Sequence, residues 1–118
     1  MGKSRGLKVW EAARALAERV GIITKDLPRS SPAGLRRQLA EAALSVPSNI
    51  AEGAGRGTPA DTLHYFHMAR ASLEEVQNDL RICVNSSLID RATFFSVWNR
   101  SVVVSRMLAK LIARLEAG

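Results

Sequence analysis

Three groups of side chains have types and spacings that could perform chemistry, and the first suggests a metal ligand set. Asp61, His64 and His67 recur every three residues, so on a helix they would share one face and approach a single metal ion. A protein metal site usually needs three or four ligands in a defined geometry, and neither an HExxH motif nor a second ligand cluster accompanies these residues. Surface histidines are the favoured interpretation, and no metal site is predicted.

The second group contains a cysteine and several carboxylates. Cys83 continues an apolar helical stripe, where a small buried thiol is ordinary, and no base lies next to it in the sequence. Glu74, Glu75 and Asp79 resemble the carboxylates of metal-binding helical bundles, but those bundles also need Glu-x-x-His pairs, which this sequence lacks. The sequence therefore predicts no enzyme, no cofactor and no small-molecule substrate.

The third group is a glycine-rich segment, residues 53–57, which superficially resembles a phosphate-binding loop. Dinucleotide-binding glycines lie between a strand and a helix, whereas these follow one predicted helix and precede another. Helix termination is the favoured interpretation. The alternative is a phosphate contact by Arg56, which stands just before the free N–H groups of the next helix.

Apolar residues recur at steps of three or four along the whole chain, and no segment alternates with period two for the length of a strand. Pro32, Thr58 and Asp90 mark the starts of the second, third and fourth helices, while Pro47 should kink the second. The sequence predicts an all-α fold, an antiparallel up-down-up-down four-helix bundle in one domain over residues 1–118. The expected helices cover approximately residues 7–27, 32–54, 59–85 and 91–115.

The fourth predicted helix carries more apolar surface than one bundle core requires. Its apolar side chains cover roughly 260° of the circumference at 100° per residue, whereas a surface helix needs little more than 100°. A second subunit is the expected cover for the excess, so the chain should form a homo-oligomer. The residues assigned to this interface are Val97, Val103, Val104, Met107 and Leu111.

The net charge of +6 is unevenly distributed. Residues 1–40 carry nine basic and three acidic side chains, residues 41–90 three and seven, and residues 91–118 five and one. Because the first and last helices of such a bundle are neighbours, the basic segments could merge into one face that attracts RNA or DNA. Ordinary solvated helix faces, or complementary charges between subunits, are the alternatives. The candidate nucleic-acid residues are Arg14, Arg36, Arg37, Arg106, Lys110 and Arg114.

The densest polar constellation lies at the end of the second predicted helix. Asn49 neighbours the apolar stripe and should need a hydrogen-bond partner inside the bundle. Glu52 and Arg56 have the i, i+4 spacing of an ion pair. A structural role is favoured for the whole motif, which consists of Ser48, Asn49, Glu52, Gly53, Gly55 and Arg56.

This motif resembles the signature of the bacterial four-helix bundle protein family that is associated with intervening sequences in large-subunit ribosomal RNA genes. The similarity begins at Leu7-Lys8-Val9-Trp10, peaks at Ser48-Asn49-Ile50-Ala51-Glu52-Gly53 with Gly55-Arg56, and continues through Ser72-Leu73-Glu74-Glu75. The resemblance implies an up-down-up-down bundle, commonly a ring-shaped homopentamer, without a characteristic enzymatic activity. It also implies kinship with the accessory protein of diversity-generating retroelements, which binds nucleic acid and a reverse transcriptase. One departure is Leu39-Ala40-Glu41, where relatives commonly carry basic residues.

Two functional hypotheses follow. The first is a non-enzymatic homo-oligomeric scaffold, with a pentamer favoured, that binds nucleic acid weakly and without sequence preference. The second is a protein–protein assembly module that binds no nucleic acid. The single cysteine makes a reduced cytoplasmic location the expectation, and no segment approaches the roughly 18 consecutive apolar residues of a membrane span.

Overall fold

The structure is a computed structural model that describes the backbone of residues 3–118 and the side chains from residue 8 onward. It contains four α-helices, and the described residues form no strand. The prediction of an all-α four-helix bundle is therefore confirmed. The helices are α1 (Lys3–Asp26), α2 (Leu35–Ala54), α3 (Pro59–Asn85) and α4 (Arg91–Ala117).

Each helix packs against the next one in the chain, and α4 returns to pack against α1. The diagonal pairs α1–α3 and α2–α4 make no comparable contact, so the helices occupy the corners of a square. Short connections make neighbouring helices antiparallel. The α2–α3 and α1–α2 packing is extensive, whereas α4 makes the sparsest contacts with its neighbours. The resulting rod measures 47 × 23 × 19 Å.

The core forms where the apolar stripes of the four helices meet. Val9 of α1, Val46 of α2, Phe66 of α3 and Val104 of α4 are all completely buried. Removal of such side chains from water is the main favourable contribution to folding. None of the four helices, over residues 3–118, combines the length and the apolar character that crossing a bilayer requires.

The starts of α3 and α4 use the expected caps. The Thr58 Oγ1 atom accepts a hydrogen bond of 3.2 Å from the backbone N–H of Asp61. The Asp90 carboxylate accepts one of 2.7 Å from the backbone N–H of Thr93. Hydrogen bonding from the Thr93 side chain, together with this backbone bond, lowers the pKa of Asp90. Both side chains thus satisfy backbone donors that have no partner inside their helix.

The start of α2 differs from the expectation. The helix begins at Leu35, three residues after Pro32, because Gly34 adopts a left-handed backbone conformation with φ of 82°. A residue in that conformation cannot continue an α-helix, and glycine adopts it without steric cost. Two other boundaries lie outside the expected ranges, since α1 begins at Lys3 and α4 ends at Ala117, whereas α1 ends at Asp26, one residue before its expected end. The end of α2, both ends of α3 and the start of α4 agree with the prediction. Pro47 is buried within one continuous α2.

Candidate nucleic-acid interface

The packing of α1 against α4 concentrates positive charge on one side of the bundle. These two helices together contain eleven basic and four acidic residues, a net charge of +7. The opposite pair, α2 and α3, contains four basic and six acidic residues, a net charge of −2. The square arrangement of the helices therefore separates charge across the molecule, with the basic side formed by segments at the two ends of the sequence.

Three of the candidate nucleic-acid residues lie along this basic side on α4. Arg106, Lys110 and Arg114 are exposed and form no ion pair with any residue from 8 to 118. Lys110 and Arg114 border a shallow groove of about 320 Å³ between α4 and Lys8 of α1. Met107 and Leu111 complete the lining of the groove. Cationic side chains without internal partners are available to bind phosphate oxygens.

The other three candidates have partners within the chain. Arg14 forms ion pairs with Glu11 and Glu18 on the surface of α1, and these two carboxylates raise its pKa. Arg37 is likewise paired, with 2.8 Å between its Nε atom and the Glu41 Oε1 atom. Exposed pairs of this kind contribute little stability, so either arginine can exchange its carboxylate for a phosphate.

Arg36 has a different environment from the rest of the candidate set. Its Nη2 atom donates a hydrogen bond of 2.6 Å to the backbone oxygen of Leu27, just beyond the end of α1. Carbonyl groups at a helix C-terminus lack partners inside the helix, and a basic side chain satisfies them well. Arg36 therefore fastens α2 to the end of α1, and its observed role is structural.

Arg56 connects the end of α2 to α3. Its Nη2 atom lies 2.8 Å from the Glu52 Oε2 atom and 2.9 Å from the Tyr65 hydroxyl oxygen, and the guanidinium carbon lies 4.6 Å from the centre of the Tyr65 ring. The expected Glu52–Arg56 ion pair is thus present. A phosphate at Arg56 would compete with both Glu52 and Tyr65, so the contacts favour the structural interpretation of this motif.

The remaining motif residues fix how α2 packs on α3. The Asn49 Nδ2 atom donates to the backbone oxygen of Ser45 at 2.9 Å and to its Oγ atom at 3.0 Å. The Ser45 hydroxyl in turn lies 2.8 Å from the Ser72 hydroxyl of α3. Asn49 thus finds its partner on its own helix, and Ser45 transmits the contact to α3. Ser48 is exposed and its hydroxyl donates to the backbone oxygen of Leu44.

Gly53 lies within α2 and is buried against α3. A Cβ atom at this position would come within 2.8 Å of the Phe66 ring and 3.1 Å of the Tyr65 Cβ atom. The Gly53 carbonyl also accepts a hydrogen bond of 2.9 Å from the Thr62 hydroxyl. Gly55 follows the end of α2 at Ala54 and has a right-handed φ of −88°. Gly53 is therefore a packing residue of the motif.

A buried carboxylate lies further along the same α2–α3 contact. Asp79 is completely buried and accepts hydrogen bonds of 3.1 and 3.2 Å from the amide nitrogen of Gln38. Burial raises the pKa of Asp79, because the bonds from Gln38 replace only part of the lost hydration. Cys83, one turn later, is also buried, and both its burial and the nearby Asp79 charge raise the pKa of the thiol. A thiol of this kind is poorly reactive.

The residues Asp61, His64 and His67 form no metal site together. Within residues 8–118, no group of three or more histidine, cysteine or acidic side chains is arranged to bind a metal ion. The His67 Nδ1 atom instead lies 2.8 Å from an Arg70 nitrogen, and its Nε2 atom lies 3.9 Å from Glu116 of α4. These contacts place His67 in an exposed cluster between α3 and α4.

The predicted oligomer interface on α4 requires a correction. Val97, Val104 and Leu111 are buried within the single chain, with at most 6% of any of them exposed, so they offer almost no surface to a second subunit. The sequence analysis overestimated the apolar surface of α4 that is left for a second subunit. Because α4 packs against two neighbours, α1 and α3, these cover more of its circumference than a single apolar stripe would occupy. Val103 is 52% exposed and Met107 is half-buried, so only these two members remain at the surface.

Sequence reasoning missed an aromatic cluster, which we define as Phe94, Phe95 and Trp98 of α4. Phe94 contacts Phe95 edge-on at 5.2 Å between ring centres and stacks on Trp98 at 5.4 Å. The Arg81 guanidinium of α3 lies 4.8 Å from the centre of the Trp98 ring. The available signal was the i, i+4 spacing of Phe94 and Trp98, whereas Arg81 is brought close only by the packing of α3 on α4.

These observations define the class: an all-α, antiparallel four-helix bundle with one strongly basic side. The model of the 23S rRNA-intervening sequence protein family matches residues 5–110, and the chain belongs to this family. A crystal structure of a protein of unknown function from the S23 ribosomal protein family of Bacteroides thetaiotaomicron has the same fold, with a TM-score of 0.86. The two chains are 20% identical, and the match covers 92% of this chain and 98% of the other. No curated protein sequence matches this chain.

Proposed function

We propose that this protein is a non-enzymatic homo-oligomeric scaffold that binds RNA or DNA through its α1–α4 side, weakly and without sequence preference. The observation that carries the proposal is the net charge of +7 on two adjacent helices, against −2 on the opposite pair. A surface of one sign attracts a polyanion and accelerates its association.

The positions of the individual side chains support the same proposal. Arg106, Lys110 and Arg114 are separated by four residues, about one helical turn, so they form a row along the exposed side of α4. Contacts of this kind bind the phosphate backbone and do not distinguish between bases. The family description refers to a sequence in a ribosomal RNA gene, and the Bacteroides relative is assigned to a ribosomal protein family. Both names are consistent with RNA as one candidate ligand.

Assembly would strengthen such binding, because several basic sides in one particle multiply weak contacts. The family resemblance implies a pentamer, which we retain as the favoured count. We place the subunit contact on the α2–α3 side, because two α1–α4 sides would repel each other. Leu44 of α2 and Met68 of α3 are 61% and 43% exposed and offer apolar surface there. Val103 and Met107 of α4 lie among basic residues and suit this role less well.

The test of binding is a titration of labelled RNA and DNA with the protein at several salt concentrations. Each phosphate contact that is removed should reduce the slope of log affinity against log salt by about 0.7–0.9. The double variant Arg106→Gln/Lys110→Gln should therefore lower the slope by about 1.5 on all sequences alike. The control Arg29→Gln/Arg70→Gln removes the same charge from the α1–α2 connection and α3, and should leave the slope nearly unchanged. Arg36 is unsuitable as a test position because it also holds α2 to α1.

The alternative is a protein–protein assembly module that binds no nucleic acid. The observation in its favour is that every helix exposes at least one large apolar side chain, for example Ile22 of α1 and Ile82 of α3. Absence of binding even at low salt would select this alternative, whereas tight, salt-resistant binding to one sequence would contradict both functions. Sedimentation equilibrium tests the assembly itself: a mass of 12.8 kDa at all micromolar concentrations would show a monomer and refute it.

A further inference from the structure

One large aromatic side chain, that of Phe95, lies at the surface of the bundle and not in its core. Phe95 is 54% exposed, although the chain contains only three phenylalanines and the other two, Phe66 and Phe94, are buried. Its ring is held edge-on by Phe94, which is itself stacked on Trp98. The outer ring of the aromatic cluster is thus supported from below and presents free surface to a ligand.

The surroundings of Phe95 are concave and basic. Phe95 lines a hollow of about 950 Å³ at the α3–α4 turn, together with Arg81 of α3, Arg91 of α4 and the connecting residues. Asp90 is the one acidic residue in this lining, and its carboxylate is already engaged with the backbone N–H of Thr93. The lining of the hollow therefore contains two guanidinium groups and an exposed aromatic ring, and its single carboxylate already has a hydrogen-bond partner. This combination suits a ligand that is both planar and anionic.

The exposed ring of Phe95 and the basic row of α4 lie on the same side of that helix. Phe95 and Arg106 are eleven residues apart, which is close to three full helical turns, so they lie on the same side of the helix about 16 Å apart. Lys110 follows one turn later, and the exposed Val103 lies between the two ends. The outer side of α4 thus has an aromatic end and a cationic end, without an acidic residue between Phe95 and Arg114.

We propose that this side of α4 binds single-stranded nucleic acid, with an unpaired base stacked on Phe95, the adjoining phosphate bound by Arg91, and phosphates further along the strand bound by Arg106 and Lys110. The inference rests on the proposed nucleic-acid binding and specifies its substrate. Bases stack on aromatic rings without regard to sequence, and a basic groove binds the backbone between them. The bases of a duplex are stacked on one another, so a duplex could bind only to the cationic end of this side, through its phosphates. A second copy of the chain is a poorer occupant, because a symmetric contact would oppose like guanidinium groups.

The experiment compares a labelled single strand of about 20 nucleotides with the duplex of the same sequence, as DNA and as RNA, at low salt. The wild-type protein should bind the single strand more tightly than the duplex. Phe95→Ala should weaken single-strand binding about five-fold or more and leave duplex binding unchanged, since stacking on an aromatic residue commonly has at least this effect. Comparison of the affinities for the RNA and DNA single strands identifies which of the two the protein prefers.

Three further variants separate stacking from other effects. Phe95→Leu keeps an apolar side chain without a ring and should behave like Phe95→Ala, whereas Phe95→Trp should retain the single-strand preference. Ile82→Ala removes an exposed apolar side chain of α3 outside the α4 side, and should change neither affinity. Circular dichroism checks that each variant has the wild-type helix content.

The outcomes separate this inference from the proposed function. Equal binding of single strand and duplex by the wild type, or equal weakening of both by Phe95→Ala, overturns the inference and leaves electrostatic binding in place. A lower oligomer mass for Phe95→Ala, with unchanged single-strand preference, overturns it by assigning Phe95 to a subunit contact. Absence of binding to either ligand refutes both the inference and the nucleic-acid function.

Discussion

The substitution Gly53→Ala tests whether the family motif is a packing motif. Gly53 lies inside α2, with a right-handed helical backbone, so intrinsic propensity alone predicts that alanine stabilises the helix by up to about 1 kcal/mol. The structure predicts the opposite sign. The new Cβ atom would lie 2.8 Å from two ring atoms of Phe66 and 3.1 Å from the Tyr65 Cβ atom, well inside ordinary contact distance.

The magnitude follows from how little the neighbours can move. Phe66 is completely buried, so its ring cannot turn away into solvent, and α2 and α3 must separate locally. Overpacking of a core by one methyl group costs about 1–3 kcal/mol, and movement of α3 would also strain the hydrogen bond from Thr62 to the Gly53 carbonyl. With a propensity gain of about 1 kcal/mol subtracted, we expect a net loss of up to about 2 kcal/mol in the free energy of unfolding.

The assay is urea denaturation followed by circular dichroism, with Gly57→Ala as the matched control. A Cβ atom at Gly57 meets no atom within 4 Å, so this variant should keep the wild-type midpoint. In a Phe66→Leu background the cost of Gly53→Ala should shrink, because the smaller side chain makes room for the methyl group. An unchanged or raised midpoint for Gly53→Ala in the wild-type background would refute the packing argument.

Two further predictions concern the polar groups between α2 and α3. Asn49→Ala should lower the free energy of unfolding by about 0.5–1.5 kcal/mol, measured by thermal or urea denaturation. The loss is modest because the Ser45 hydroxyl keeps its Ser72 partner when the Asn49 amide is removed. An unchanged denaturation midpoint would contradict this prediction. Asp79→Asn should stabilise the fold at neutral pH. Because the pKa of Asp79 is higher in the folded chain than in the unfolded chain, wild-type stability is greatest below the unfolded pKa and falls as pH rises through the folded pKa. The denaturation midpoint of Asp79→Asn should therefore not decline between acidic and neutral pH as that of the wild type does. Identical pH profiles for the two proteins would contradict this prediction.

The sequence predicted parts of the candidate site and missed others for identifiable reasons. Arg106, Lys110 and Arg114 could be found because residues four apart share a side of any helix. Arg36 could not be separated from them, because its partner, the Leu27 carbonyl, is reached only when the α1–α2 connection folds back. The aromatic cluster was overlooked because an exposed phenylalanine and a core phenylalanine give the same apolar signal in a periodicity analysis.

The sequence by itself determined the all-α class, the four helices, the caps at Thr58 and Asp90, and the family, because these depend on local periodicity, backbone hydrogen bonding and a contiguous motif. Tertiary structure alone decided which side of each helix is covered. Val97, Val104 and Leu111 became core because α4 packs against two neighbours at once, and Gly34 delayed α2 by adopting a left-handed backbone that local patterns did not indicate. The same packing joined the basic segments at opposite ends of the chain into one side, since charges distant in sequence combine only when α1 and α4 meet.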